Sequence, residues 1–149
     1  MTAHSRSLDR VFFDLSSRVK LRGTGADRLR FLQGQITNDI RKASESRAIE
    51  ACVLNAKGKM DAHLFVHEKG DAFFLDADPA LASILQARLE RYVIADDVTI
   101  EDVTARLSIF HVIGAASSEL STQARAISVN RFGIDGHDMW IDSAAHDQI

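Results

Sequence analysis

The stretch between residues 48 and 75 constrains this chain most. Met60, Ala62, Leu64 and Val66 recur with a period of two, the signature of a half-buried strand. The apolar run Ala48 to Leu54 precedes them and a second, Ala72 to Leu75, follows. The turn Asn55-Ala56-Lys57-Gly58-Lys59 and the hairpin signal Glu68-Lys69-Gly70-Asp71 join the three. This is a three-stranded meander, which makes the sheet antiparallel here.

The flanks fit the same class. Val11 to Leu15 and Arg18 to Arg22 read as strands, the second alternating polar and apolar residues. Ala26 to Gly34 reads as a short helix, with Leu29, Phe31 and Leu32 on one side, Asp27 in the first turn and Gly34 as its stop. Gln35 to Ile40 reads as a loop or turn. Asp78 and Pro79 open a second helix, predicted to run unbroken to about Arg91 with Leu81, Leu85, Leu89 and Tyr92 at helical spacing. Val98–Val103, Arg106–Val112, Ile127–Val129 and Met139–Ile141 read as further strands. Residues 114–123 read as a short helix or connector around Glu119-Leu120, and the polar tail from Asp142 as frayed. A doubly wound parallel sheet would alternate strand and helix throughout. This chain does not, so the expected class is α+β with largely antiparallel sheets and two or three short helices.

Size and charge narrow the function. The 149 residues fit one domain, and 46 % apolar residues suffice for a core. No run is long and apolar enough for a bilayer, and Met1 to Asp9 shows no secretory signal, so we expect a cytoplasmic protein with no membrane partner. A net charge of −3 offers no general attraction to nucleic acid. The single cysteine, Cys52, excludes an intrachain disulfide and reads as a buried thiol. Gly23-Thr24-Gly25 lacks the third glycine of a dinucleotide fingerprint. His63, His67 and His111 make no convincing metal site, and none is expected.

The residue chemistry leaves several candidates with two readings each. Asp61 follows the Lys57-Gly58-Lys59-Met60 turn and reads as a solvated acid or a pocket carboxylate. Gln33, Gln35, Asn38 and Asp39 form a polar cluster that either lines a pocket or satisfies its own backbone. Lys57 and Lys59 are surface charges or contacts for an anionic ligand. Arg131, in Arg131-Phe132-Gly133-Ile134-Asp135-Gly136, shapes a hairpin or reaches a ligand.

Four strings in order resemble the aminomethyltransferase superfamily. They are Phe12-Phe13-Asp14-Leu15-Ser16, Phe31-Leu32-Gln33-Gly34-Gln35-Ile36-Thr37-Asn38-Asp39, Asn55-Ala56-Lys57-Gly58-Lys59-Met60-Asp61 and Val129-Asn130-Arg131-Phe132-Gly133-Ile134-Asp135-Gly136-His137. Arg91 to Val98 adds a fifth. The superfamily holds the T-protein of glycine cleavage, folate-dependent demethylases, and folate-binding proteins of iron–sulfur cluster assembly or repair. The second string is most similar to the last branch.

The resemblance implies a folate-binding domain of two similar α+β halves around a central pocket. Residues 1–149 would form a single truncated domain of that type, with 8–112 as the first half and 125–142 as the start of the second. The Lys-Gly-Cys signature of the iron–sulfur branch is not found in it, nor is the C-terminal barrel. By the same resemblance tetrahydrofolate or a derivative is the implied cofactor. Asp61 is the implied catalytic support, and Gln33, Asn38, Asp39, Lys57, Arg131 and His137 are implied to bind the cofactor. His137 stands where the transferases carry a glutamate, and imidazole cannot offer a bidentate acceptor. A half-built pocket implies a homodimer or a partner supplying the missing half. Three functions follow: a folate-binding protein assisting iron–sulfur assembly or one-carbon metabolism, a tetrahydrofolate-dependent transferase, or an interaction module that has lost folate.

Overall fold

The computed structural model describes residues 10–114 and 125–148. The strands are β1 (Val11–Asp14), β2 (Val19–Thr24), β3 (Ile49–Leu54), β4 (Met60–Lys69), β5 (Ala72–Ala77), β6 (Thr99–Asp102), β7 (Leu107–Ile113), β8 (Ala126–Asn130) and β9 (Asp135–Asp142). The helices are α1 (Arg28–Gln35) and α2 (Ile84–Glu90). One sheet has the strand order β3-β4-β5-β2-β6 and the other β1-β7-β9-β8, and every strand pair in both is antiparallel. The class is therefore α+β, and the meander of β3, β4 and β5 lies where the sequence puts it. An isolated parallel bridge between Arg47 and Ser128 ties the two sheets at their edges.

The larger sheet is buried on one face and covered over part of the other. On one, Leu21, Val53, Leu64 and Leu75 meet Leu32 of α1 and Leu85 and Leu89 of α2, all at or below 1 % exposure. Side chains of alternating parity point the other way. There Phe65, His67, Phe74 and Asp76 meet Arg131 and Trp140 from the second sheet. The second sheet in turn buries Phe110, Val112, Met139 and Ile141 on its outer face, with Ala145 packed against them.

Five expectations are corrected. The second helix is broken. Asp78 caps a 3₁₀ turn, Pro79–Leu81, by accepting from Ala80 N at 2.8 Å, and Ser83 then takes φ 64° before α2 starts. Serine is a weak helix former, and the break turns Leu85 and Leu89 into the core while Ile84 stays 60 % exposed. Gly34 does not stop α1, because the helix passes through it and ends where Ile36 becomes extended to bury its side chain. Leu29 is 45 % exposed and lies off the buried side of α1. Cys52 shares the outward parity of Glu50 and Leu54 and is only half-buried. The tail is tied down: Ser143–Gln148 forms a 3₁₀ helix, Ser143 N donates to Arg106 O at 2.9 Å, and His146 reaches Asp14 at 2.8 Å. Residues 1–9 and the stretch around Glu119-Leu120 lie outside the described residues.

Candidate functional site

Apart from His137, the predicted residues fall at three separate places. The first is the β3–β4 turn, where Asp61 leaves the sheet edge beside α2. Its Oδ2 accepts from Arg88 Nε at 3.2 Å. Arg88 also donates to Gln35 Oε1 at 3.2 Å and to Leu54 O at 3.0 Å, and its guanidinium lies 4.2 Å above the Tyr92 ring. One arginine thus binds together the ends of α1 and β3, the start of β4 and the body of α2. Asp61 lines two adjoining clefts. One, about 320 Å³, is walled by Leu81, Leu85, Arg88 and Arg91. The other, about 460 Å³, is walled by Arg18, Met60, His63 and Asp78. Lys57 lies in the exposed turn above, where its backbone N donates to Asn55 Oδ1 at 2.9 Å.

The second place is the loop after α1. Gln33 Oε1 accepts from Ile40 N at 2.7 Å, and Asn38 Nδ2 donates to Glu50 O at 2.9 Å. Asp39 accepts from Arg41 N at 3.0 Å and from the Arg41 side chain at 3.0 Å at each oxygen. The Arg41 side-chain bond holds the Asp39 carboxyl below its ordinary range. These polar groups mostly satisfy their own loop, which keeps Ile36 and Ile40 in the core. Asn38 nevertheless lines a polar cleft of about 400 Å³ with Lys42, Arg47, Asn130 and Asp135. Two strings far apart in sequence, residues 31–39 and 129–137, therefore meet at one opening.

The third place lies between the sheets. The Arg131 side chain is 3 % exposed and donates to Asp76 at 2.8 and 2.7 Å and to Asp138 at 2.7 to 3.1 Å. Its guanidinium stacks 4.4 Å from the Phe65 ring centroid. Burial works against its charge, but Asp76 and then Asp138 outweigh it and hold Arg131 protonated more firmly than an ordinary arginine. Burial would likewise raise Asp138, yet hydrogen bonds with His111 and from Arg131 keep it below the usual carboxylate range. Arg18 adds a contact to Asp76 at 2.6 Å. With Arg18 and Arg131 facing Asp76 and Asp138, these four charges balance.

His137 does not join that group. On β9 its parity is that of Met139 and Ile141, so it faces away from Asp138, with Nδ1 buried and unpartnered. The residues that reasoning from sequence missed are Arg88, Asp76, Asp138 and His111. Asp76 carried a readable signal, a carboxylate inside an apolar strand that continues to Ala77 rather than ending at Leu75. Among the described residues no group of three or more His, Cys, Asp or Glu side chains could hold a metal ion. No helix among them is long and apolar enough to cross a membrane.

The model of the GCVT N-terminal domain matches residues 8–134. The chain belongs to this family. Among curated relatives, the tRNA-modifying protein YgfZ of Shigella dysenteriae serotype 1 is 31 % identical over 109 residues, 73 % of this chain and 31 % of that protein. The protein of the same name from Escherichia coli strain SE11 is 31 % identical over the same length. The chain spans about a third of the length of the curated relatives it matches. The glycine cleavage system aminomethyltransferase T from Bartonella henselae shares the fold, with a TM-score of 0.75 at 15 % identity over 93 % of this chain and 44 % of that one. Membership of the GCVT family agrees with the resemblance carried by the four strings, all but the last residues of which lie inside the matched range.

Proposed function

We propose that this chain supplies one half of a tetrahydrofolate-binding cleft, in a cytoplasmic protein that assists one-carbon metabolism or iron–sulfur assembly. The carrying observation is Asp61 at the mouth of a cleft walled by Leu81, Leu85, Arg88 and Arg91. A pterin presents a row of N–H donors that a carboxylate accepts, and the faces of its flat ring suit the leucines. The glutamate tail of folate is anionic and suits Arg91 and the exposed Lys57 above the turn. Completion of the cleft would come from a second copy or from a partner polypeptide.

Two observations favour a binding role over transfer chemistry. Asp61 is already neutralised by Arg88, and Arg131 spends its donors on Asp76 and Asp138. The same facts support the second reading, an interaction module without folate. Calorimetric titration with 5-formyltetrahydrofolate, read beside the sedimentation mass, separates the two. We expect saturable heat with a Kd on the order of 0.1 mM or tighter, weakened about tenfold in Asp61→Asn, the loss of one hydrogen bond to a charged group. Absence of heat at millimolar ligand in both monomeric and dimeric fractions would leave the interaction module.

A further inference from the structure

We propose that the cavity between the β4–β5 hairpin tip and the β8–β9 ladder binds a small aromatic monocarboxylate. The cavity is about 360 Å³ and is lined by His67, Trp140, Ile127, Lys69, Arg125 and Glu45. That volume lies in the range of small-molecule sites, roughly 300–1,000 Å³.

Its walls are aromatic, and one of them carries a buried N–H without a partner. His67 stacks on Phe74 at 5.4 Å and meets Trp140 edge-on at 4.7 Å. The residue is 3 % exposed, and its ring makes no hydrogen bond among the described residues. The Trp140 indole N–H is buried with no partner. An unpaired buried polar group is costly and uncommon, so the indole N–H beside the His67 ring marks a place where a ligand's polar atoms lower the free energy. Burial holds the His67 pKa down to about 4, so the ring is neutral near pH 7 and offers one donor and one acceptor.

The rim selects the sign of the ligand. Arg125 is paired with Glu45 at 2.6 Å, and Glu45 also accepts from Gly70 N at 3.3 Å. Lys69 is exposed and forms no ion pair among the described residues, so the rim carries one uncompensated positive charge. An aromatic ring against Trp140 and Ile127, with its carboxylate toward Lys69, meets both demands. A cationic ligand would face Lys69 unfavourably.

This site is independent of the folate cleft. Asp61 and Lys69 stand at opposite ends of β4, eight residues or about 26 Å apart. Trp140 is the only tryptophan of the chain, so its fluorescence reports the cavity alone. The full chain is titrated with benzoate and nicotinate, and with benzamide and nicotinamide as neutral counterparts. We expect saturable quenching by the carboxylates with a Kd on the order of 1 mM or tighter, and binding of the amides at least about fivefold weaker. Lys69→Ala, at an exposed position, should abolish that preference, while Asp61→Ala should leave it intact. No saturable change with any probe, equal binding of acids and amides, or an unaltered preference in a folded Lys69→Ala chain would each overturn the assignment.

Discussion

Arg131 and Asp76 join the two sheets through a pair of charge-assisted hydrogen bonds at 2.8 and 2.7 Å, with both side chains at or below 3 % exposure. Asp76 belongs to β5 and Arg131 follows β8, so no backbone ladder links them. Removing the guanidinium leaves Asp76 and Asp138 buried with too little positive charge. Arg131→Met should therefore cost about 3–5 kcal/mol, the usual penalty for breaking a buried pair from one side. Urea unfolding measures it. A loss below about 1 kcal/mol would mean that the carboxylates find water or another cation, and would return Arg131 to the list of ligand contacts.

His67 gives the fold a pH dependence. Its folded pKa is lowered to about 4 by burial, against 6.5 unfolded. Between those values the unfolded chain binds a proton that the native chain refuses, so stability falls as pH drops from 6.5 toward 4. The full effect is roughly 3 kcal/mol. Asp138, held below 3.8, acts in the same direction at lower pH, its contribution lost as its carboxylate is protonated. Chemical denaturation from pH 7.5 to 4 should show the decline, and His67→Phe should flatten its upper part. An equally steep decline in that variant would assign it to another group.

The fold was legible because its signals were local. Alternation at Met60 to Val66 and the Gly70 hairpin require only neighbours in sequence, and both survive in β4 and β5. The unbroken second helix was misread because Leu81, Leu85 and Leu89 fit one stripe. Only the core shows that Ser83 must break the chain to seat Leu85 and Leu89. Candidate site residues were legible as types but not as partners. Asp61 was visible, whereas Arg88, 27 residues away, was not. Arg131 read as shaping a hairpin or reaching a ligand, because the two aspartates that bury it lie on different strands of different sheets.

Gly25 should tolerate no side chain. It has φ 111°, and a Cβ there would overlap the Asp97 carbonyl. That carbonyl accepts from Asp27 N at 3.1 Å, while Asp97 N donates to Asp27 Oδ2 at 2.8 Å, so the contact clamps the entry of α1 to the segment before β6. Gly25→Ala should destabilise by about 2–4 kcal/mol, strain plus displacement of the clamp. Gly34→Ala is the control: nothing lies within 4 Å of its Cβ position, and alanine is the better helix former. It should stabilise by about 0.5–1 kcal/mol. Thermal unfolding of the two variants should move in opposite directions.

Arg88 is the residue through which the Asp61 cleft is held in shape. Its planar fork reaches Asp61, Gln35 and the Leu54 carbonyl at once, and its face covers Tyr92. A lysine is a point charge and cannot serve three acceptors in one plane. Arg88→Lys should thus behave nearly as Arg88→Ala, each losing about 1–3 kcal/mol, whereas Asp61→Asn, which removes the charge from one of the three acceptors, should lose less than about 1 kcal/mol. Denaturation midpoints for the three variants decide the order. Recovery of most of the stability by lysine would show that charge alone matters at this position, and that the fork does not fix the cleft's geometry.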